Sequence, residues 1–423
     1  MARIGFVSTR FAGTDGVSLE SEKWARMLQE DGHEVFWFAG QLDRDEAISM
    51  LVPDAFFEHP DNERIAGAVW GRLHRPPEIN ALIKKLAEHL RAQLHEFKQR
   101  FDIEILLPEN ALTIPMHVPL GLAITDFIAE TGLPTIAHHH DFYWERTRFT
   151  HSAVRDYLEA AFPPVLPQIQ HAVINSAARD QLAWRKGVAA IVVPNVIDFE
   201  HPPHPPQRDL DAIREAVGLE PDDILILQPT RVVPRKGIEH AITAVSRLGN
   251  PKCKLVISHE SGDEGDTYMH ALQDMAQQAS VDLRFVNTVV PHYSEGTPDP
   301  TPAGSVSLWE LYPCADLVTY PSLYEGFGNA LLEAFYFKVP VLINRYSIWI
   351  QDIEPKGFRT VCMDGYVTNE LVAQLDKVLS DDALRNEMAE HNYKVATRYF
   401  SYAVLRRRLQ TLVVNVMGLG SMG

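Results

Sequence analysis

Two glutamates, Glu325 and Glu333, stand in the stretch PSLYEGFGNALLEAFYFKVPVL that runs from Pro321 to Leu342. Glu325 opens the turn Gly326-Phe327-Gly328, and Glu333 interrupts the apolar run of Ala330, Leu331, Leu332, Ala334 and Phe335. A carboxylate among apolar side chains needs a partner, and an ionised carboxylate accepts hydrogen bonds from hydroxyl groups. The pair therefore reads as a site for a polyhydroxylated ligand. The turn predicts a helix beginning near Asn329, whose free N-terminal amides suit a phosphate. Upstream, Arg231 and Lys236 in QPTRVVPRKGIEH follow an apolar strand. Two cations at the carboxyl end of a strand suit a diphosphate.

Two further stretches carry polar chemistry. In STRFAGTDGVSLESEKWARML, residues 8–28, Gly13 and Gly16 form a turn between strand and helix, with Ser18 as the expected helix cap. In AHHHDFYWERTRF, residues 137–149, three histidines end a strand. Alternation along a strand keeps His138, His139 and His140 from converging on one ion, so no metal is expected. One histidine with Asp141, Trp144, Arg146 and Arg148 forms a wall suited to a sugar or an acid.

Positioning these groups takes many strands. Apolar runs recur as IGFV, IEILL, TIAH, AVIN, AIVVP, ILILQ, KLVIS, DLVTY and VPVLI, with amphipathic helical patterns between many of them. Unalternating strands separated by helices indicate parallel sheets covered on both faces, an α/β protein. The proline-rich stretch DFEHPPHPPQRDL, residues 198–210, interrupts the series. It divides the chain into an N-terminal Rossmann-like domain at 1–200 and a second at 207–395, expected to face one another across a cleft, with a helical segment at 396–423 expected to return to the first.

A chain of 423 residues supports two full cores. Its formal net charge of -17 excludes general attraction to nucleic acid or anionic lipid, so any phosphate site is built locally. The absence of a signal-like or membrane-length apolar segment points to the cytoplasm. Cys253, Cys314 and Cys362 are too few and too scattered for a disulfide framework or a zinc site and read as core thiols.

The Glu325/Glu333 pair in YEGFGNALLEA, the Arg231/Lys236 pair, the segment VVPNVIDFE and the loop GTDGVSLESEKWARML together resemble the family-4 retaining glycosyltransferases of the GT-B fold. The resemblance implies that Arg231 and Lys236 bind the donor diphosphate and steady the charge on the leaving group. It assigns Glu333 to the nucleotide ribose and Glu325 to the transferred sugar. Gly16 and the backbone of Phe327, Gly328 and Asn329 would meet phosphate and sugar oxygens. His140, with His139 in reserve, would stand beside the reacting carbon, and His139, Asp141, Trp144, Arg146 and Arg148 would receive the acceptor. Where the family has a double glycine, this chain has Gly13-Thr14-Asp15-Gly16, which changes the contacts expected there.

The expectation is a retaining transfer of a hexose, glucose or mannose, from a UDP- or GDP-linked donor to a small hydroxylated acceptor such as a sugar or sugar acid. No further cofactor is required, and a homo-oligomer is left open. Two alternatives are a GT-B sugar phosphorylase and a non-catalytic sugar-nucleotide-binding protein. The loop 286–312 is expected near the nucleotide base.

Overall fold

The structure, a computed structural model, describes every residue except 14, 207, 259–266, 287, 290–292, 295–296, 299–305 and 421–423. It divides into two units, Met1–Asn195 with Leu405–Gly423, and Val196–Val404. Much of the 286–312 loop lies outside the described residues, and so does its expected place near the base.

In the first unit the strands are β1 (Arg3–Val7), β2 (Glu34–Ala39), β3 (Ser49–Leu51), β4 (Ile105–Pro108), β5 (Thr135–His139), β6 (Ile169–Val173) and β7 (Ala190–Val192). They pair in parallel in the order β3-β2-β1-β4-β5-β6-β7. Helices cover the sheet because their apolar residues recur at helical spacing. The helix Pro77–Phe101 buries Ile79, Ile83, Leu86, Leu90, Leu94, Phe97 and Phe101 in one core with Val7, Phe38 and Leu106 of the strands.

The second unit contains β8 (Ile224–Gln228), β9 (Cys253–Ile257), β10 (Asp282–Phe285), β11 (Leu317–Tyr320), β12 (Val341–Asn344) and β13 (Val361–Met363). These are also parallel, in the order β10-β9-β8-β11-β12-β13. In both sheets the strand order reverses beside the first strand of the series, between β1 and β4 and between β8 and β11. Open α/β sheets bind ligands at such switch points, outside the carboxyl ends of the strands.

Every apolar run read from the sequence overlaps a strand. The strands β2, β3, β10 and β13 were not among them. Three of these are edge strands of only three or four residues, too short to stand out as apolar runs, and β2 is built largely from aromatic residues. Among the described residues, no helix is long and apolar enough to cross a membrane. Cys253 and Cys314 are buried, Cys362 is half-buried, and all three are free thiols.

The division between units falls at Asn195 rather than at residue 200. The residues just after it are tied to the second unit by their backbones. Ile197 N donates to Phe400 O (3.0 Å), Tyr393 Oη to Phe199 O (2.8 Å), and Tyr336 Oη to His201 O (2.9 Å). The Glu200 carboxylate accepts from Ala403 N at 3.0 Å, at the start of the helix Tyr402–Gly420. The tail also divides later than residue 396. The helix Asp382–Phe400 stays with the second unit, and the chain from Leu405 onward belongs to the first. There it buries Leu405, Leu409, Leu412 and Val416, and Arg406 and Gln410 meet Asp31 at 3.1 and 3.0 Å.

Candidate functional site

At the switch point of the second unit, β8 and β11 carry a buried polar seam. Thr319 Oγ1 donates to Gln228 Oε1 at 2.7 Å, and Gln228 Nε2 donates to Thr230 Oγ1 at 2.7 Å. The chain leaving β8 passes Arg231 and makes a short turn, Pro234–Lys236, that ends at Gly237. Gly237 has φ +60°, and a Cβ there would lie 2.5 Å from Pro321 O. Only glycine allows this close approach, which brings Lys236 against the segment that follows β11.

The buried Lys236 ammonium meets Glu325 Oε1, while Arg235 NH1 lies 3.1 Å from Glu325 Oε2. Burial alone would raise the Glu325 carboxyl, but the charges of Lys236 and Arg235 hold it below the usual carboxylate range. Lys236 also lies over the Tyr320 ring at 5.4 Å. Arg231 is exposed and close enough for its charge to act on Lys236. Arg235, which the sequence reading omitted, thus joins Lys236 on the one carboxylate, with Arg231 as a third cation beside Lys236. Its place beside Lys236 in PRKG was the available signal.

The helix Asn329–Tyr336 begins as expected and follows Gly328 at φ 128°. A Cβ on Gly328 would lie 3.0 Å from Tyr346 Oη, and Tyr346 Oη donates to Phe327 O at 2.7 Å. Glu333 lies one turn into the helix and accepts from Tyr312 Oη at 2.7 Å. The two glutamates therefore have different protein partners, Lys236 and Arg235 for one and Tyr312 for the other.

The first unit has its own strand-end cluster. Glu109 directly follows β4, and its backbone N donates to Val7 O at 2.9 Å across the switch point. Its side chain is wholly buried. His138 Nδ1 lies 3.0 Å from both carboxylate oxygens, and His140 Nε2 lies 3.4 Å from Oε2. The Glu109 carboxyl would rise through burial, yet the two imidazoles hold it below the usual range. Burial would lower His140, but the hydrogen bond and charge of Glu109 outweigh this and raise it. His138 stacks on Trp24 with ring centroids 3.9 Å apart. Glu109 was absent from the sequence reading, although an acid placed directly after an apolar strand is a usable signal.

Alternation of the strand decides among the histidines. His138 and His140 share Glu109, whereas His139 turns the other way, bonded through Nδ1 to Thr113 Oγ1 (2.6 Å) and through Nε2 to His171 Nδ1 (2.9 Å). His139 is 1% exposed with both nitrogens engaged, which corrects its expected acceptor role. The His140 side chain is 14% exposed against 1% for His138.

Around these histidines, Arg146 Nε donates to Asp141 Oδ2 at 2.5 Å, and Trp144 Nε1 donates to Gln181 Oε1 at 2.7 Å. Arg148 is exposed beside Phe149. At the N-terminal loop the helix Gly16–Glu30 is capped by Asp15, not Ser18. Asp15 Oδ1 takes the amides of Val17 (3.1 Å) and Ser18 (3.3 Å), so these amides are already satisfied. Gly16 is the exposed first residue of that helix.

Residues 302–395 match the family profile described as glycosyl transferases group 1. The chain is 32% identical to a mannosylglucosylglycerate synthase of Thermotoga maritima, covering 94% of this chain and 96% of that protein. A mannosylglucosylglycerate synthase of Petrotoga mobilis is 30% identical, covering 85% and 86%. Among solved structures, a glycosyltransferase from Rickettsia africae matches with a TM-score of 0.70 at 12% identity, covering 98% of each chain. Anabaena HepE in complex with UDP matches with a TM-score of 0.66 at 14% identity, covering 98% of this chain and 100% of that one. These structural likenesses establish the fold.

Proposed function

The chain belongs to the GT-B glycosyltransferase family that includes the mannosylglucosylglycerate synthases, and on that premise we propose that it transfers mannose from a nucleoside-diphosphate donor to a glucosylglycerate-type acceptor, retaining the anomeric configuration. The sugar and acceptor come from the relatives' names, which describe mannose joined to a glucosylated glycerate.

One observation carries the reading. Arg235 and Lys236 meet the single carboxylate of Glu325 at the switch point of the second sheet, and Arg231 lies near enough for its charge to act on Lys236. Three positive charges against one negative leave an excess of two, the complement of a diphosphate. In the resting protein Glu325 keeps Lys236 compensated. An arriving diphosphate shares that ammonium, and Glu325 is then free to accept from a hydroxyl of the donor sugar. As the glycosidic bond breaks, negative charge grows on the leaving diphosphate, and these preorganised cations stabilise it. Glu333 receives the ribose hydroxyls beside Tyr312.

On the first unit, His140 is the residue assigned to the transferred sugar, and the exposed Arg148 is assigned to the acceptor's carboxylate. Arg146, already held by Asp141, shapes the same wall with Trp144. The leaving phosphate helps accept the acceptor's proton, so no enzymic nucleophile is needed for retention.

The test is incubation with GDP-mannose or UDP-glucose and glucosylglycerate, with mass detection of product and proton NMR of the new linkage. Mannosyl transfer giving an α product is expected. Nucleotide release that is independent of any acceptor would reduce the activity to hydrolysis and overturn the acceptor assignment.

A further inference from the structure

We propose that Glu109 is a positioning residue that fixes the orientation and charge of the His140 imidazole. This deepens the transferase reading and rests on it. The carboxylate is buried and its backbone is held from two sides. Ser8 Oγ donates to Glu109 O at 2.9 Å, and the neighbouring Asn110 N donates to His138 O at 2.9 Å. Asn110 Oδ1 in turn accepts from His140 N at 3.2 Å, so one short segment fixes both the backbone and the ring of His140.

Of the groups around the ring, Glu109 is the close acid. Glu20, from the helix Gly16–Glu30, acts on His140 by charge, and Asp141 follows it in the chain. His138 shares Glu109 and lies 4.6 Å from the His140 ring between centroids, while the charge of His139 also couples to His140. With Nε2 turned to Glu109, Nδ1 is left as the nitrogen that makes no hydrogen bond among the described residues. An imidazolium so held presents an N–H at Nδ1 to a hydroxyl or phosphate oxygen of the substrate. A neutral ring would leave the nitrogen's role to its tautomer.

A buried carboxylate with no catalytic consequence is the competing reading. It explains the burial equally well, but not why the one partly open histidine of the three also turns its Nε2 to Oε2, an oxygen that His138 already approaches at 3.0 Å.

The experiment uses the full chain with Glu109→Gln, Glu109→Asp and His140→Gln. Imidazole NMR, with His140 assigned by its loss in His140→Gln, follows the titration, and transfer from GDP-mannose to glucosylglycerate is followed from pH 5.5 to 9. In Glu109→Gln the His140 midpoint is expected to fall by at least one pH unit. Turnover should fall at least ten-fold at pH 8 and much less at pH 6, with GDP affinity unchanged. Glu109→Asp, which keeps the charge but shortens the reach, should recover part of both.

An unmoved His140 midpoint in folded Glu109→Gln overturns the proposal. So does a loss of turnover that is uniform across pH. If Glu109→Gln does not fold, Glu109→Asp decides alone, and wild-type turnover and titration in it count against the assignment. Divalent metal found in the purified wild type and lost in Glu109→Gln, with chelator-sensitive turnover, also overturns it. Failure of the transferase reading is separable, because the NMR shift would then occur in a protein that transfers no sugar.

Discussion

At the residue scale, the Lys236–Glu325 ion pair is where the proposed donor binding and the stability of the fold meet. On the proposed function, replacing Lys236 by Ala removes a charge-assisted contact to the donor diphosphate worth about 2 kcal/mol, so affinity for the donor's nucleoside diphosphate, GDP or UDP, should fall roughly 30-fold by calorimetry. Arg231→Ala should weaken GDP comparably while leaving the melting temperature unchanged, because that side chain is exposed. Glu325→Gln differs. It leaves a buried ammonium without its carboxylate, which costs about 3–5 kcal/mol, so chemical denaturation should expose the change before any kinetic assay does. Glu333→Gln should chiefly raise the donor KM, since the proposed ribose contact would be made equally in ground and transition states. Acid gives a further check. Glu325 and Glu109 have depressed folded-state values, so their contribution to stability is present above the ordinary glutamate pKa of about 4.3 and disappears as pH falls through the lower folded value. Glu325→Gln should flatten that part of the stability curve, measured by urea midpoints between pH 3 and 6.

At the element scale, the sites depend on short turns more than on helices. Gly237→Ala would put a Cβ 2.5 Å from Pro321 O in a left-handed conformation, with a strain of about 1–3 kcal/mol. Lys236 would be displaced with the turn, so both the melting temperature and GDP binding should drop together. These turns also mark how far the sequence could be read. Apolar runs such as ILILQ and DLVTY are legible because a strand buried on both faces tolerates no other composition. Lys236, Glu325 and Glu333 stood out because charged groups next to such runs need partners. Glu109 and Arg235 carried local signals too, but which partners they would meet depends on strand order and loop approach, which no local pattern encodes. The same limit explains His139. Alternation said that neighbouring histidines part ways, but only the sheet shows which face holds Thr113 and His171. Asp15 replaced Ser18 as the cap by a shift within one turn, the least certain feature of any helix boundary.

At the scale of the molecule, the first unit is assembled from two separated pieces of chain, Met1–Asn195 and Leu405–Gly423. The returning piece buries Leu405, Leu409, Leu412 and Val416, each worth about 1.5–3 kcal/mol. That sum reaches the typical net stability of a domain, about 5–15 kcal/mol. Ending the chain at residue 404 is therefore expected to unfold the first unit while the second keeps its protection, read by hydrogen exchange with mass detection. Full protection of β1 to β7 in that variant would show that the returning helix is dispensable.

The same arrangement sets an order of events on the ribosome. Met1–Asn195 emerges first but lacks the helix that closes its core until roughly 200 further residues, Val196–Val404, have been made. At about 5–20 residues per second, that gap lasts on the order of ten to forty seconds, long enough for the second unit to fold first although it is translated later. During this delay the nascent first unit exposes the apolar surface that Leu405, Leu409, Leu412 and Val416 will later bury, a window in which chaperones and misassembly compete for it.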